Sequence, residues 1–256
     1  MASGTLQVEA RGPFSLARSV AFAGGFAPAG APQANGDVLR LAFVDDGGEA
    51  AAIAARQSGS KVSVDYVSAL DPSRVVGHAA LRPVLFGSPF EAAVWAVLSQ
   101  RTSMRQAAAV RARLVEQLGT ALEIDGAELR AFPSPERLAR VESLPTGVPA
   151  VKAERLRGLA RAAAAGELDA DALRAMEPEA ALEGLAQLPG IGPFSAQLIL
   201  LRGAGHPDVL PLNAPRLASS VREAYGLDGD PSPAQLEALA EGWRPFRSWV
   251  VFLLRQ

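Results

Sequence analysis

The sequence contains no cysteine, which excludes disulfides, thiolate zinc sites, iron–sulfur clusters and a cysteine nucleophile. Histidine occurs only at His78 and His206, too little for a histidine-based metal centre. Lysine is nearly absent as well, present only at Lys61 and Lys152 in an arginine-rich chain, a bias we read as genomic base composition. Neither sign of charge dominates: 25 basic against 27 acidic residues leave a net charge of −2. Bulk positive charge therefore cannot hold a polyanion, and any such contact must be local. Long apolar runs are missing too. The stretch 249–254 is far shorter than a membrane span, and the start MASGTLQVEARGPF has no cationic segment followed by an apolar one. The expectation is a soluble cytoplasmic protein whose chemistry uses carboxylates, amides, arginines or aromatics.

What is present is apolar bulk, 49% of 256 residues, enough to bury one large core or two modest ones. Glycine and proline punctuate the first seventy or so residues (Gly24-Gly25, Pro28, Asn35-Gly36, Gly47-Gly48) between short alternating runs. Residues 6–9, 38–44 and 61–67 read as strands and 15–22 as a short helix, an α+β pattern closed by Asp71-Pro72-Ser73. From about Phe90 the pattern turns helical, with helices expected over 89–99, 103–118, 135–141, 152–165, 170–176, 178–185, 194–203, 214–225, 233–243 and 247–254. Prolines at 135, 178 and 233 fall near helix starts, where a missing N–H costs nothing. The expected fold is mainly α with an N-terminal α+β domain: residues 1–75 carrying a small antiparallel sheet, and 76–256 all helical.

Between two of these helices lies Leu188-Pro189-Gly190-Ile191-Gly192-Pro193-Phe194. Gly190 and Gly192 permit positive φ and close approach, Ile191 anchors the turn, and the next helix starts with its dipole facing the loop. Backbone N–H groups of Leu188, Gly190, Ile191 and Gly192 form a candidate phosphate site that needs no lysine. A separate, basic feature is the stretch from 101 to 113, where Arg101, Arg105, Arg111 and Arg113 occur with no acid, a local charge of +4 that is expected to face DNA phosphates.

Several motifs in the same order carry a family resemblance. They are Pro89-Phe90-Glu91-Ala92, Leu98-Ser99-Gln100, Thr102-Ser103, Phe132-Pro133-Ser134-Pro135-Glu136, the hairpin, Leu201-Arg202-Gly203, Pro207-Asp208-Val209 and Trp243-Arg244-Pro245-Phe246-Arg247-Ser248. With them the chain resembles the helix-hairpin-helix superfamily of DNA glycosylases, in particular the bacterial 3-methyladenine DNA glycosylase II family. Gly12-Pro13-Phe14 and Phe26-Ala27-Pro28 are similar to that family's small α+β domain. The resemblance implies a monomer that bends double-stranded DNA, flips a damaged base and hydrolyses its N-glycosidic bond. No organic cofactor is implied, and a sodium or potassium ion held by the Leu188 carbonyl would help grip the phosphate. Gln100 and Arg101 fall where relatives insert a side chain into the duplex. Phe22, Phe194, Leu198 and Arg255 fall at base-pocket positions.

The sequence also departs from that family. The resemblance implies a catalytic aspartate six residues beyond Asp208, and that position is Ala214. Asn213 can orient a water but carries no charge to offset an oxocarbenium ion; Asp208 is the nearest carboxylate in sequence. Phe194 stands where bifunctional relatives place a Schiff-base lysine, so strand cleavage through that residue is not expected. Arg255 in an aromatic cage would repel a cationic alkylpurine. Two functions follow: a monofunctional glycosylase acting on labile alkylated purines, or a catalytically silent DNA or lesion binder.

Overall fold

The computed structural model describes residues 2–10, 14–25, 33–35, 38–68, 86–145, 147–212, 214 and 216–254. Strands β1 (Ala2–Glu9), β2 (Gln33–Asn35), β3 (Val38–Val44), β4 (Ala50–Ser58) and β5 (Lys61–Ser68) form one antiparallel sheet in the order β1-β5-β4-β3-β2. Side chains alternate along these strands as the pleat requires. Leu39, Phe43, Ile53, Val64 and Tyr66 pack on one face with Leu16 and Val20 of helix α1 (Leu16–Gly25).

The opposite face, with Ala52 and Ala54, is covered by an element the sequence reading did not anticipate. Residues expected to continue the helical part instead fold as a hairpin of β6 (Thr120–Ile124) and β7 (Ala127–Ala131), so the portion beyond residue 75 is not all helical. Its turn residues Asp125 and Gly126 both take positive φ, 52° and 68°, the conformation that matches the twist of a two-residue hairpin. Leu122, Ile124, Leu129 and Ala131 face the sheet, and the Asp125 carboxylate binds both Arg40 and Arg56.

Helix α2 (Pro89–Ser99) is buried along nearly its whole length and forms the axis of the helical region. Its Glu91, 4% exposed, accepts the Val44 N–H at 2.9 Å and the Arg111 guanidinium at 2.7 Å, tying sheet to helices. Arg111 also lies 5.4 Å from the Phe132 ring centroid, so it is a buried ion-pair partner and not part of a phosphate-facing stretch. Helices α3 (Met104–Leu118), α4 (Pro135–Arg140), α5 (Ala150–Ala164), α6 (Ala170–Ala175) and α7 (Pro178–Ala186) follow. Next come α8 (Pro193–Leu198) and a π-helical turn, Ile199–Gly203, where one uninterrupted α-helix was expected. A Cβ on Gly203 would lie 2.8 Å from Pro89 Cα, which explains a glycine where this turn crosses α2.

Helices α9 (Leu217–Tyr225), α10 (Pro233–Glu241) and α11 (Arg247–Leu254) close on their own apolar cluster of Leu217, Val221, Leu236, Ala240, Trp243 and Val251. The helix expected from 214 starts only at Leu217, because Arg216 takes a left-handed φ of 65° that no right-handed helix accommodates. Among the described residues no helix is long and apolar enough to cross a membrane.

Candidate nucleic-acid interface and base pocket

Helix α7 ends in a tight turn. Leu188 N–H donates to Leu185 O at 3.2 Å and Ile191 N–H to Leu188 O at 3.0 Å, while Leu188 and Ile191 bury their side chains in the main core. Gly190 takes a φ of 78°, and a Cβ there would lie 2.5 Å from Arg155 Cδ. At Gly192 an added Cβ would meet nothing within 4 Å. This second glycine leaves room on the outer side of the turn rather than relieving a clash. The N–H groups of Gly190 and Gly192 find no acceptor among the described residues, so the turn presents two uncommitted donors.

The turn is held from behind. Gln100 Nε2 donates to Gly190 O at 2.7 Å, and Arg155 Nη1 donates to Gln100 Oε1 at 3.0 Å. Gln100 was expected to enter the duplex beside Arg101; its amide is instead spent on this internal bracket, and Arg101 alone stands exposed at the tip with φ 51°. Lys152 Nζ donates to Leu98 O at 2.7 Å, Gln100 O at 2.8 Å and Thr102 Oγ1 at 2.8 Å. Burial, then the nearby Arg155 charge, push its ammonium below the ordinary lysine range. Sequence reasoning passed over Lys152 and Arg155. One signal for Lys152 was available: it is one of only two lysines in an arginine-rich chain, where a compact ammonium does what a planar guanidinium cannot.

Phe194 is 71% exposed, which removes core packing as the reason for an aromatic there. Leu198, one helical turn on, is half-buried against the core. Phe22 belongs to α1, but its side chain, like Arg255 and Asn213 entirely, lies outside the described residues. Arg101 and Arg105 are exposed, and Arg113 is half-buried with its Nε unpaired among the described residues.

Asp208 is fully occupied. Arg247 Nε donates to its Oδ1 at 2.8 Å, Arg247 Nη2 to its Oδ2 at 3.1 Å and Arg244 Nη1 to its Oδ2 at 3.0 Å. Burial alone would raise its pKa, but the Arg247 hydrogen bonds and the two guanidinium charges outweigh it and hold the carboxyl below the ordinary value. The Asp208 N–H donates to His206 Nδ1 at 3.2 Å. Such a carboxylate anchors α11 to the loop. Ala214 packs against the C-terminal apolar cluster and brings no charge.

The family described as HhH-GPD superfamily base excision DNA repair protein matches residues 94–245, more than half of the chain. A DNA-3-methyladenine glycosylase of Bacillus subtilis is 29% identical over 179 residues, 68% of this chain and 58% of the relative. DNA-3-methyladenine glycosylase 2 of Escherichia coli is 34% identical over 165 residues, covering 63% of this chain and 55% of that protein. The chain thus spans little more than half the length of these curated relatives. Among solved structures, the 3-methyladenine DNA-glycosylase from Archaeoglobus fulgidus shares the fold, with a TM-score of 0.70 at 20% identity over 97% of this chain and 96% of that one. With the family match covering the second half of the central helix, the glycine turn and the loop beyond it, the chain belongs to the HhH-GPD superfamily of base excision DNA repair proteins.

Proposed function

We propose that the chain is a monofunctional DNA N-glycosylase that releases alkylated purines from duplex DNA by base flipping and direct hydrolysis. The observation that carries this reading is the glycine turn: two amide donors at Gly190 and Gly192 without acceptors among the described residues, braced by Gln100 and Arg155, beside the exposed ring of Phe194. Neutral amides suit phosphodiester oxygens and serve a chain of net charge −2. The Phe194 ring offers a face to a flipped base, and its quadrupole favours a cationic alkylpurine.

Phe194 has no amine, so no Schiff base forms there and the abasic strand stays uncut. Alkylation at N3 or N7 already makes the purine a good leaving group, which lowers what the protein must supply. With Asp208 committed to Arg247 and Arg244, orientation of the attacking water falls to Asn213. A sodium or potassium ion fits the donor chemistry at the turn. The Leu188 carbonyl accepts one N–H, from Ile191 at 3.0 Å, and keeps a second lone pair; the ion would add positive charge at the phosphate. The partner is double-stranded DNA and the working form a monomer.

The test is base release from duplexes carrying 3-methyladenine or 7-methylguanine. Free base with an intact abasic strand is expected, and absence of release from a bound duplex would overturn the proposal.

A second reading, a silent lesion binder, is favoured by one observation: the loop from 204 to 214 contains a single carboxylate, Asp208, and both its oxygens are taken. It requires salt-dependent duplex binding without release, and a gain of release on Ala214→Asp.

A further inference from the structure

We infer that Lys152 is a positioning residue that locks the Arg101 turn in register with the glycine turn, so that phosphate capture and insertion of Arg101 into the duplex act as one rigid unit. The inference rests on the proposed phosphate-binding role of the glycine turn and on the expectation, implied by the family resemblance, that Arg101 enters the duplex. Lys152 stands in the first turn of α5, against the dipole of its own helix. Its three donors all point elsewhere, to Leu98 O, Gln100 O and Thr102 Oγ1. Leu98 O and Gln100 O belong to the C-terminal end of α2, where carbonyls lack intrahelical partners and a cation is favoured. The residue enclosed by this clamp is Arg101, whose left-handed φ of 51° is one that L side chains rarely adopt. A conformation of that kind persists only where its surroundings over-determine it.

The same helix face holds the other turn. Arg155, three residues beyond Lys152 on the same helix face, bonds Gln100 Oε1 at 3.0 Å and lies over Gly190, whose carbonyl accepts from Gln100 Nε2 at 2.7 Å. Lys152 therefore fixes the backbone on either side of Arg101, and Arg155 fixes the side chain that joins this backbone to Gly190. An ammonium meets three oxygens gathered about a point, whereas the guanidinium fork spreads its donors in a plane. No described carboxylate pairs with Lys152, so the side chain is not one half of an ordinary ion pair.

The experiment compares the full chain with Lys152→Met and Thr102→Val, reading three signals. They are affinity for an undamaged duplex, fluorescence of a 2-aminopurine stacked beside a 7-methylguanine, and single-turnover release of that base. Lys152→Met is expected to keep duplex affinity while losing about 10²-fold in release, the scale of a misplaced reacting geometry, with a matching loss of the 2-aminopurine signal. Thr102→Val, which removes one of the three acceptors together with the Thr102 Oγ1 hydrogen bond to Gln100 O at 3.1 Å, moves both signals in the same direction by a smaller factor. Release by the wild type should also decline as the pH rises through a lysine ionisation below 10.5, since a neutral amine retains only two donors. Lys152→Met should lack that limb.

Unchanged 2-aminopurine fluorescence and release in both variants would overturn the inference, as would parallel loss of duplex affinity and release, the mark of a merely structural cap. Should the wild type bind duplex without releasing base, the glycosylase reading fails, and the 2-aminopurine signal alone then decides the role of Lys152. Failure of the wild type to bind duplex at all would overturn both.

Discussion

The two loops that flank the candidate site are both braced by side chains from distant helices, yet they are left with opposite capacities. In the glycine turn the brace takes a carbonyl, Gly190 O, and leaves N–H groups uncommitted. In the loop from 204 to 214 the brace takes the carboxylate itself, through Arg247 and Arg244. The backbone of that loop is tied down as well, with Ser248 Oγ receiving the Val209 N–H at 2.9 Å and Ser248 N–H donating to Pro207 O at 2.9 Å. What a loop can offer a ligand is what its internal hydrogen bonds leave over. The first loop is left with phosphate-binding donors and the second without an available acid.

The contrast breaks most directly at Asp208. Asp208→Ala should cost about 3–5 kcal/mol of stability in urea denaturation, because the mostly buried Arg247 charge keeps only the distant Glu241 carboxylate, at 4.0 Å, as a partner. A double change, Asp208→Leu with Arg247→Met, should recover most of that loss. If Asp208→Ala instead kept its stability and abolished base release, the carboxylate would be chemical and the contrast would collapse. Next in size, Gly192→Asp, at the position where an added Cβ meets nothing within 4 Å, should weaken duplex binding by about 2 kcal/mol, roughly thirtyfold, by setting a like charge against the phosphate. Unchanged affinity in a fluorescence titration would show that the turn does not carry the contact.

Acid titration sharpens the same comparison. A carboxyl held below its ordinary 3.8 stabilises the fold at pH values above that figure, and the contribution disappears as pH falls through the folded-state value. Wild-type stability should therefore drop on acidification, and Asp208→Asn, already less stable at neutral pH, should show a flatter acid limb. The smallest effect belongs to Arg105. Exposed and unpaired among the described residues, it should on change to alanine reduce the slope of log K against log salt by about one, without altering stability.

How much of this could be read beforehand follows sequence distance. The glycine turn was legible because its determinants lie within seven consecutive residues. Its brace was not: Gln100 and Gly190 are 90 residues apart, and in the other loop Asp208 and Arg247 are 39 apart, so nothing local announces either contact. In the fold, β3 was legible from its alternation, whereas β4, Ala50–Ser58, escaped because alanine carries no strand signal. That strand exists because both neighbours pair with it, and its small side chains admit α1 on one face and the hairpin on the other. The hairpin itself had a readable turn in Asp125-Gly126, outweighed in the sequence reading by the helical runs around it. Arg111 looked like part of a basic stretch because the sequence does not show that Glu91 lies opposite it.

Single-turnover release of 7-methylguanine from a duplex by the wild-type chain tests the central claim most directly. Glycosylase function predicts free base and an intact abasic strand, with Ala214→Asp changing the rate but not creating the activity. Tight duplex binding with no free base from the wild type, and release appearing only in Ala214→Asp, would contradict it.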